Sequence, residues 1–232
     1  MTAATWTYPH PHPAVTVDAV VFGVEDETLK VLLVERGFAP FAGSWAVPGG
    51  FVGPNEDLDT AARRELLEET GADVRYLEQL YTFGAPHRDP RERVITVAYY
   101  ALVDLPAHRL ESGSDAADAR WFPVADLPSL AFDHDRIVRT AVSRLRGKLS
   151  YAPVGFDLLA TKFTLTELQR LYEVILGRGL DKRNFRRRVL ATDVLVELDE
   201  TRAGVAHRAP RLYRFDPDRY RARLEAGKEF EL

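Results

Sequence analysis

Residues 50–72, GFVGPNEDLDTAARRELLEETGA, decide how the rest of the chain is read. Residues 58–70 are rich in Ala, Leu, Arg and Glu and are followed by Gly71, which predicts a helix with a glycine just past its end. At 100° per residue, Glu68 lies about 60° to one side of Glu65 and Glu69 about 40° to the other, so three carboxylates share one helix face. Three such anions repel one another unless a cation joins them. Oxygen-only ligands suit Mg²⁺ or Mn²⁺, and Mg²⁺ commonly shares its remaining positions with substrate phosphates. A phosphate ester or anhydride is the matching substrate class. Arg64, four residues before Glu68 and next to Glu65, is placed to hold carboxylates through a bidentate pair.

Working outward, residues 14–24 and 29–35 read as core strands, and further strands are expected at 74–83, 94–103 and 119–124 before a helix at 135–149. Mixed strands with two well-separated helices predict an α+β fold or an α/β/α sandwich. A cationic loop, residues 87–93 (HRDPRER), precedes one strand. It reads as a solvated turn or as a ligand contact, and the second reading makes Arg88 and Arg91, together with Gly50, candidates to meet a diphosphate or ribose. Trp45 is read as packing.

Past residues 148–156, taken as a linker, the texture changes. Residues 164–176 begin with a Thr164/Glu167 capping box and carry an apolar stripe at Leu168, Leu171, Tyr172 and Ile175. Gly177 and Gly179 break that helix, and Asp181 can cap a second one running to Leu190. Strands at 194–198 and 211–215 follow, and the last residues, from 217, could be helical. Helix-turn-helix plus hairpin is the outline of a winged helix. The chain divides into units at 1–150 and 151–232.

Charge supports that division. Residues 151–232 carry 16 Lys and Arg against 13 Asp and Glu, whereas residues 1–150 carry 15 against 22. The excess is concentrated: five of the seven residues 182–188 (KRNFRRR) are cationic. In a helix, Phe185, Val189 and Leu190 would pack inward, with Asn184, Arg187 and Arg188 outward and Arg183 and Arg186 flanking. Arginine pairs with guanine edges, asparagine with adenine, and surplus cations such as Lys182 anchor phosphates. The hairpin loop, with Arg202, His207 and Arg208, would be the wing.

With 46% hydrophobic and 28% charged residues among 232, the composition is that of a folded globular protein. The absence of cysteine excludes disulfides, thiolate metal sites and cysteine nucleophiles. No run approaches 18 apolar residues and the first residues lack a basic-then-apolar signal, so a cytoplasmic protein with no membrane partner is expected.

Residues 50–72 resemble the Nudix box, with Gly50, Glu56, Arg64, Glu65, Glu68, Glu69 and Gly71 all at its fixed positions. The resemblance implies Glu65, Glu68 and Glu69 as metal ligands and catalytic residues, supported by Glu56 and Arg64, and hydrolysis of a nucleoside diphosphate linked to another moiety. Residues 151–215, especially YAPVGFDLL and FTLTELQRLYEVILGRGLDKRNFRRRVL, look like the winged helix of the Nudix-related transcriptional regulators, the NrtR family. That likeness implies a homodimeric bacterial repressor of NAD-metabolism or pentose-use genes. Its partners would be double-stranded operator DNA and ADP-ribose or a related NAD-derived nucleotide. Some members are implied to hydrolyse ADP-ribose to AMP and ribose 5-phosphate.

Overall fold

Strand β1 (Ala14–Glu25) sends alternate side chains into two separate cores: Val17, Ala19 and Val21 to one, Val20 and Phe22 to the other. That two-residue period fixes a sheet buried on both faces. The computed structural model describes residues 9–105, 116–202 and 209–232. In it, β1 pairs antiparallel with β2 (Thr28–Arg36), and β2 with β3 (Trp45–Ala46). A three-residue strand, β4 (Gly49–Phe51), also lies on β1. After helix α1 (Leu58–Thr70) come β5 (Tyr76–Phe83), β6 (Val94–Leu102) and β7 (Ala116–Pro123). β6 runs parallel to β1, β5 lies on the outer side of β6, and β7 pairs with β2.

Helix α1 covers one face with Ala61, Ala62 and Leu66, and α2 (His134–Lys148) covers the other with Ile137, Val138, Ala141 and Leu145. The result is the expected α/β/α sandwich. Each fully buried Leu, Ile or Val contributes about 1.5–3 kcal/mol, so these stripes fix both helices to the sheet. Asp57 caps α1 by accepting from Thr60 N at 2.8 Å, and Gly71 ends it in the left-handed region at φ 68°. Residues 45–51, which resemble the strand leading into the Nudix box, divide into the two short strands β3 and β4. Two and three residues carry no readable alternation, and only pairing to their neighbours makes them strands.

The second unit contains a short 3-10 turn (Val154–Leu158), α3 (Leu165–Leu176), α4 (Lys182–Ala191), the hairpin β8 (Leu195–Thr201) and β9 (Arg211–Phe215), and α5 (Pro217–Glu225). The expected linker is not an open tether. Leu149, Ala152, Val154 and Phe156 are buried, in one apolar cluster with α2, Leu168 and Ile175. The two units therefore share a continuous core. Leu190 is a second correction: it is 47% exposed, because α4 meets α3 along the Phe185/Val189 line and the next residue turns about 100° away. Helix α5 stops at Glu225. It is Phe230, past its end, that is buried.

The capping box at α3 forms as read, with Thr164 Oγ1 accepting from Glu167 N at 3.2 Å and Glu167 Oε2 accepting from Thr164 N at 2.7 Å. Thr164→Ala removes one half of this exchange. The expected loss is about 1 kcal/mol of unfolding free energy, read from urea denaturation. An unchanged midpoint would contradict it.

Candidate functional site

The ladder between β1 and β4 sets Gly49 opposite Asp18 and Gly50 opposite Val17, at the edge of a cavity of about 450 Å³. That volume falls within the range of small-molecule sites. Helix α1 contributes Glu65 and Glu69 to its wall, and the start of α2 contributes His134. Both glycines are required by close approach. A Cβ on Gly49 would stand 2.2 Å from the backbone oxygen of Val17, and one on Gly50 would stand 2.3 Å from Glu65 Oε1.

Arg64 organises the acidic helix. Its Nε and Nη2 donate to the two oxygens of Glu56 at 3.0 and 2.7 Å, and its Nη1 donates to Glu65 at 2.8 Å and Glu68 at 3.0 Å. Arg64, with the Gly53 N–H, holds the Glu56 carboxyl down to about 2. Glu65 is pushed up by burial, against the pull of Arg64. Burial raises Glu69 to about 7, opposed by the Gly49 N–H at 2.9 Å and aided by the charges of Glu65 and Asp18.

Glu65 and Glu69 are therefore cavity groups, whereas Glu68 is 57% exposed and turned to Arg64. The i,i+3 spacing from Glu65 puts it on the same face, and the i,i+4 spacing from Arg64 puts it within reach of that guanidinium. Glu65 and Glu69 are the oxygen donors a hard divalent cation takes. Among the described residues, however, no three acidic or histidine side chains converge into a cluster that could hold one. The carboxylates as they stand do not complete a metal site.

Opposite these acids lies a cationic and aromatic wall. Arg91 is held by Asp89, at 2.7 and 3.1 Å, with its guanidinium carbon 5.6 Å from the Phe51 ring centroid and 5.7 Å from that of Phe132. Arg36 stands 4.7 Å over Phe132. Guanidinium forks and flat rings suit a diphosphate and a planar base. Arg88 also lines the cavity but is committed within the protein, donating to Asp133 Oδ1 at 2.7 Å and approaching Asp18 Oδ2 at 3.5 Å. His134 is buried, which lowers its pKa, and its Nδ1 accepts from Val47 N at 3.1 Å. Sequence reasoning missed Asp18, Arg36, Phe132 and His134. Trp45 packs edge-on against Phe122.

In the second unit, Lys182, Arg183, Asn184, Arg187 and Arg188 are exposed on α4, capped by Asp181 accepting from Asn184 N at 2.8 Å. None of these four cations has an ion-pair partner among the described residues. Arg186 is turned back, donating to Thr166 Oγ1 at 3.0 Å, and Arg202 is bound to Glu167 at 2.5 Å. These two tie the helix-turn-helix and the hairpin together. His207 and Arg208 lie outside the described residues.

Comparison with known proteins gives two family matches: a NUDIX domain over residues 12–141 and an NrtR DNA-binding winged helix domain over residues 155–215. The chain is 39% identical over 210 residues to the ADPR responsive transcriptional repressor NtrR of Acinetobacter baylyi, covering 89% of this chain and 83% of that one. The structure of Shewanella oneidensis NrtR complexed with a 27mer DNA superposes with a TM-score of 0.81 at 39% identity, covering 93% of this chain and 97% of that one. The NUDIX domain of the same protein, complexed with ADP ribose, matches with a TM-score of 0.55 at 39% identity, over 60% of this chain and 94% of that one.

Proposed function

The chain belongs to the NrtR family of Nudix-related transcriptional regulators, and on that premise we propose that it is an ADP-ribose-responsive repressor acting as a homodimer on operator DNA. The observation that carries the reading is the pairing, on one continuous core, of a nucleotide-sized cavity with a helix presenting unpaired cations. Residues 1–150 would sense the ligand and residues 151–232 would bind the duplex, in the cytoplasm. NAD-metabolism or pentose-use genes would be the targets. Arg187, Arg188 and Asn184, exposed on α4, would read base edges, while Lys182 and Arg183 suit phosphates. Arg186 and Arg202 would brace α4 and the end of β8 against α3.

In the nucleotide site, Arg91 and Arg36 are suited to the diphosphate, with Phe51 and Phe132 as stacking surfaces and the Gly50 backbone free to approach. Ligand and DNA are linked only if the ligand binds two arrangements of the dimer unequally. Contacts that would transmit such a difference exist: Arg146 Nε donates to the carbonyl of Ile175 at 2.8 Å, joining α2 to α3. A gel shift on DNA from the chain's own promoter region tests the reading. Binding is expected to exceed that to unrelated DNA and to fall steeply as salt rises, as phosphate neutralisation requires. Equal affinity for both DNAs would overturn it.

A second activity, hydrolysis of ADP-ribose to AMP and ribose 5-phosphate, is favoured by the complete set Glu56, Arg64, Glu65, Glu68 and Glu69. Mg²⁺ or Mn²⁺ would be held by Glu65 and Glu69, joined by Glu68 once it leaves Arg64. Incubation with ADP-ribose and Mg²⁺ is expected to release AMP, and Glu69→Gln to lower the rate by about 100-fold or more. Absence of AMP, or equal rates for the two proteins, would remove this activity and leave regulation standing.

A further inference from the structure

Behind the cationic helix, where the end of α2, the α3–α4 turn and α4 meet, lies a cavity of about 180 Å³. Leu149, Leu176, Leu180 and Phe185 form its apolar walls. Tyr172 lines it as well, 2% exposed, and its hydroxyl is buried with no hydrogen-bond partner. An unpaired buried hydroxyl is costly, and such groups are normally satisfied. Burial pushes the Tyr172 phenol up, so near neutral pH it remains an uncharged donor. Around the cavity stand Arg178 and Arg188, both exposed, and Asp181, whose Oδ1 is occupied in capping α4.

We propose that this cavity is a second ligand site, built for a single-ring aromatic acid with a hydrogen-bonding group opposite its carboxylate. An apolar cavity near 150 Å³ accepts one benzene ring, so the volume admits one ring and little more. The ring would lie against the leucine and phenylalanine walls, its polar substituent would satisfy Tyr172, and its carboxylate would meet Arg178 and Arg188. Because Arg188 belongs to the DNA-facing set, occupancy competes with a phosphate or base for the same guanidinium. That last step rests on the functional reading above, whereas binding of the acid does not.

The test uses 4-hydroxybenzoate as probe, with benzoate and phenol as analogues lacking one end each, followed by ligand-observed NMR on the full chain. Saturable binding of 4-hydroxybenzoate is expected at millimolar concentration, with benzoate and phenol weaker. Tyr172→Phe removes only the unpartnered hydroxyl and should weaken 4-hydroxybenzoate about fivefold while leaving benzoate unchanged. Arg178→Ala should weaken both acids and spare phenol, and Leu180→Trp should fill the cavity and block all three. No binding, or binding indifferent to both Tyr172→Phe and Leu180→Trp, overturns the site. In gel shifts, saturating 4-hydroxybenzoate should weaken operator binding by the parent chain and not by Leu180→Trp. Unchanged affinity overturns the link to α4. A chain that binds no operator even without the acid contradicts the regulatory reading instead, and the NMR result still decides the site.

Discussion

Arg88→Ala is expected to destabilise the protein by about 3–5 kcal/mol, because it strands two carboxylates that the guanidinium neutralises. The side chains of Arg88 and Asp18 are 4% and 8% exposed, and Arg88 reaches Asp133 at 2.7 Å. Asp18 is left with His134, whose Nε2 is 3.7 Å away and whose burial favours the neutral ring. A domain of ordinary stability holds about 5–15 kcal/mol, so the loss is a large share of the total. Urea denaturation followed by circular dichroism measures it. Arg139→Ala is the control: its side chain and that of its partner Asp135 are 71% and 52% exposed, and the change should cost under about 1 kcal/mol. Equal stability of the two variants would show that Arg88 is not the buried strut described.

The largest functional effect is expected from Arg187→Ala combined with Arg188→Ala. Both side chains are exposed on α4, away from the Phe185 and Val189 contacts that hold the helix in place. Each removed base or phosphate contact costs about 1–3 kcal/mol, so the pair should abolish operator binding at moderate salt. The fold should survive, because neither residue packs. ADP-ribose binding by calorimetry should likewise persist. Retained operator affinity, at the same salt, would move the DNA-contact surface off this helix.

The two variants separate what the sequence made legible from what it did not. The sandwich was readable because β1 and β6 are long apolar runs and α1 is an Ala- and Leu-rich stretch stopped by Gly71, and the winged helix because Thr164, Gly177 and Asp181 mark helix ends chemically. Glu65 and Glu69 could be placed on one face by helix geometry alone. Their partners in the cavity could not. Asp18 comes from β1, Arg36 from the end of β2, Phe132 from just before α2 and His134 from its first residue, so only the folded sandwich brings them together. Arg88 shows the same limit in reverse. Its setting, HRDPRER, reads as a solvated cationic loop, yet long-range pairing with Asp18 and Asp133 buries it. Arg186 and Arg202 look like further DNA cations until Thr166 and Glu167, on the neighbouring helix, are seen to take them. Glu68 departs from the shared-face expectation for a local reason, because Arg64 competes for its carboxylate.

The most direct measurement is an operator gel shift at fixed salt, titrated with ADP-ribose, on the parent chain. Operator affinity should fall between about 5- and 150-fold as the nucleotide saturates, the usual range of coupling between two sites. An operator affinity that stays constant while calorimetry shows ADP-ribose bound would contradict the account.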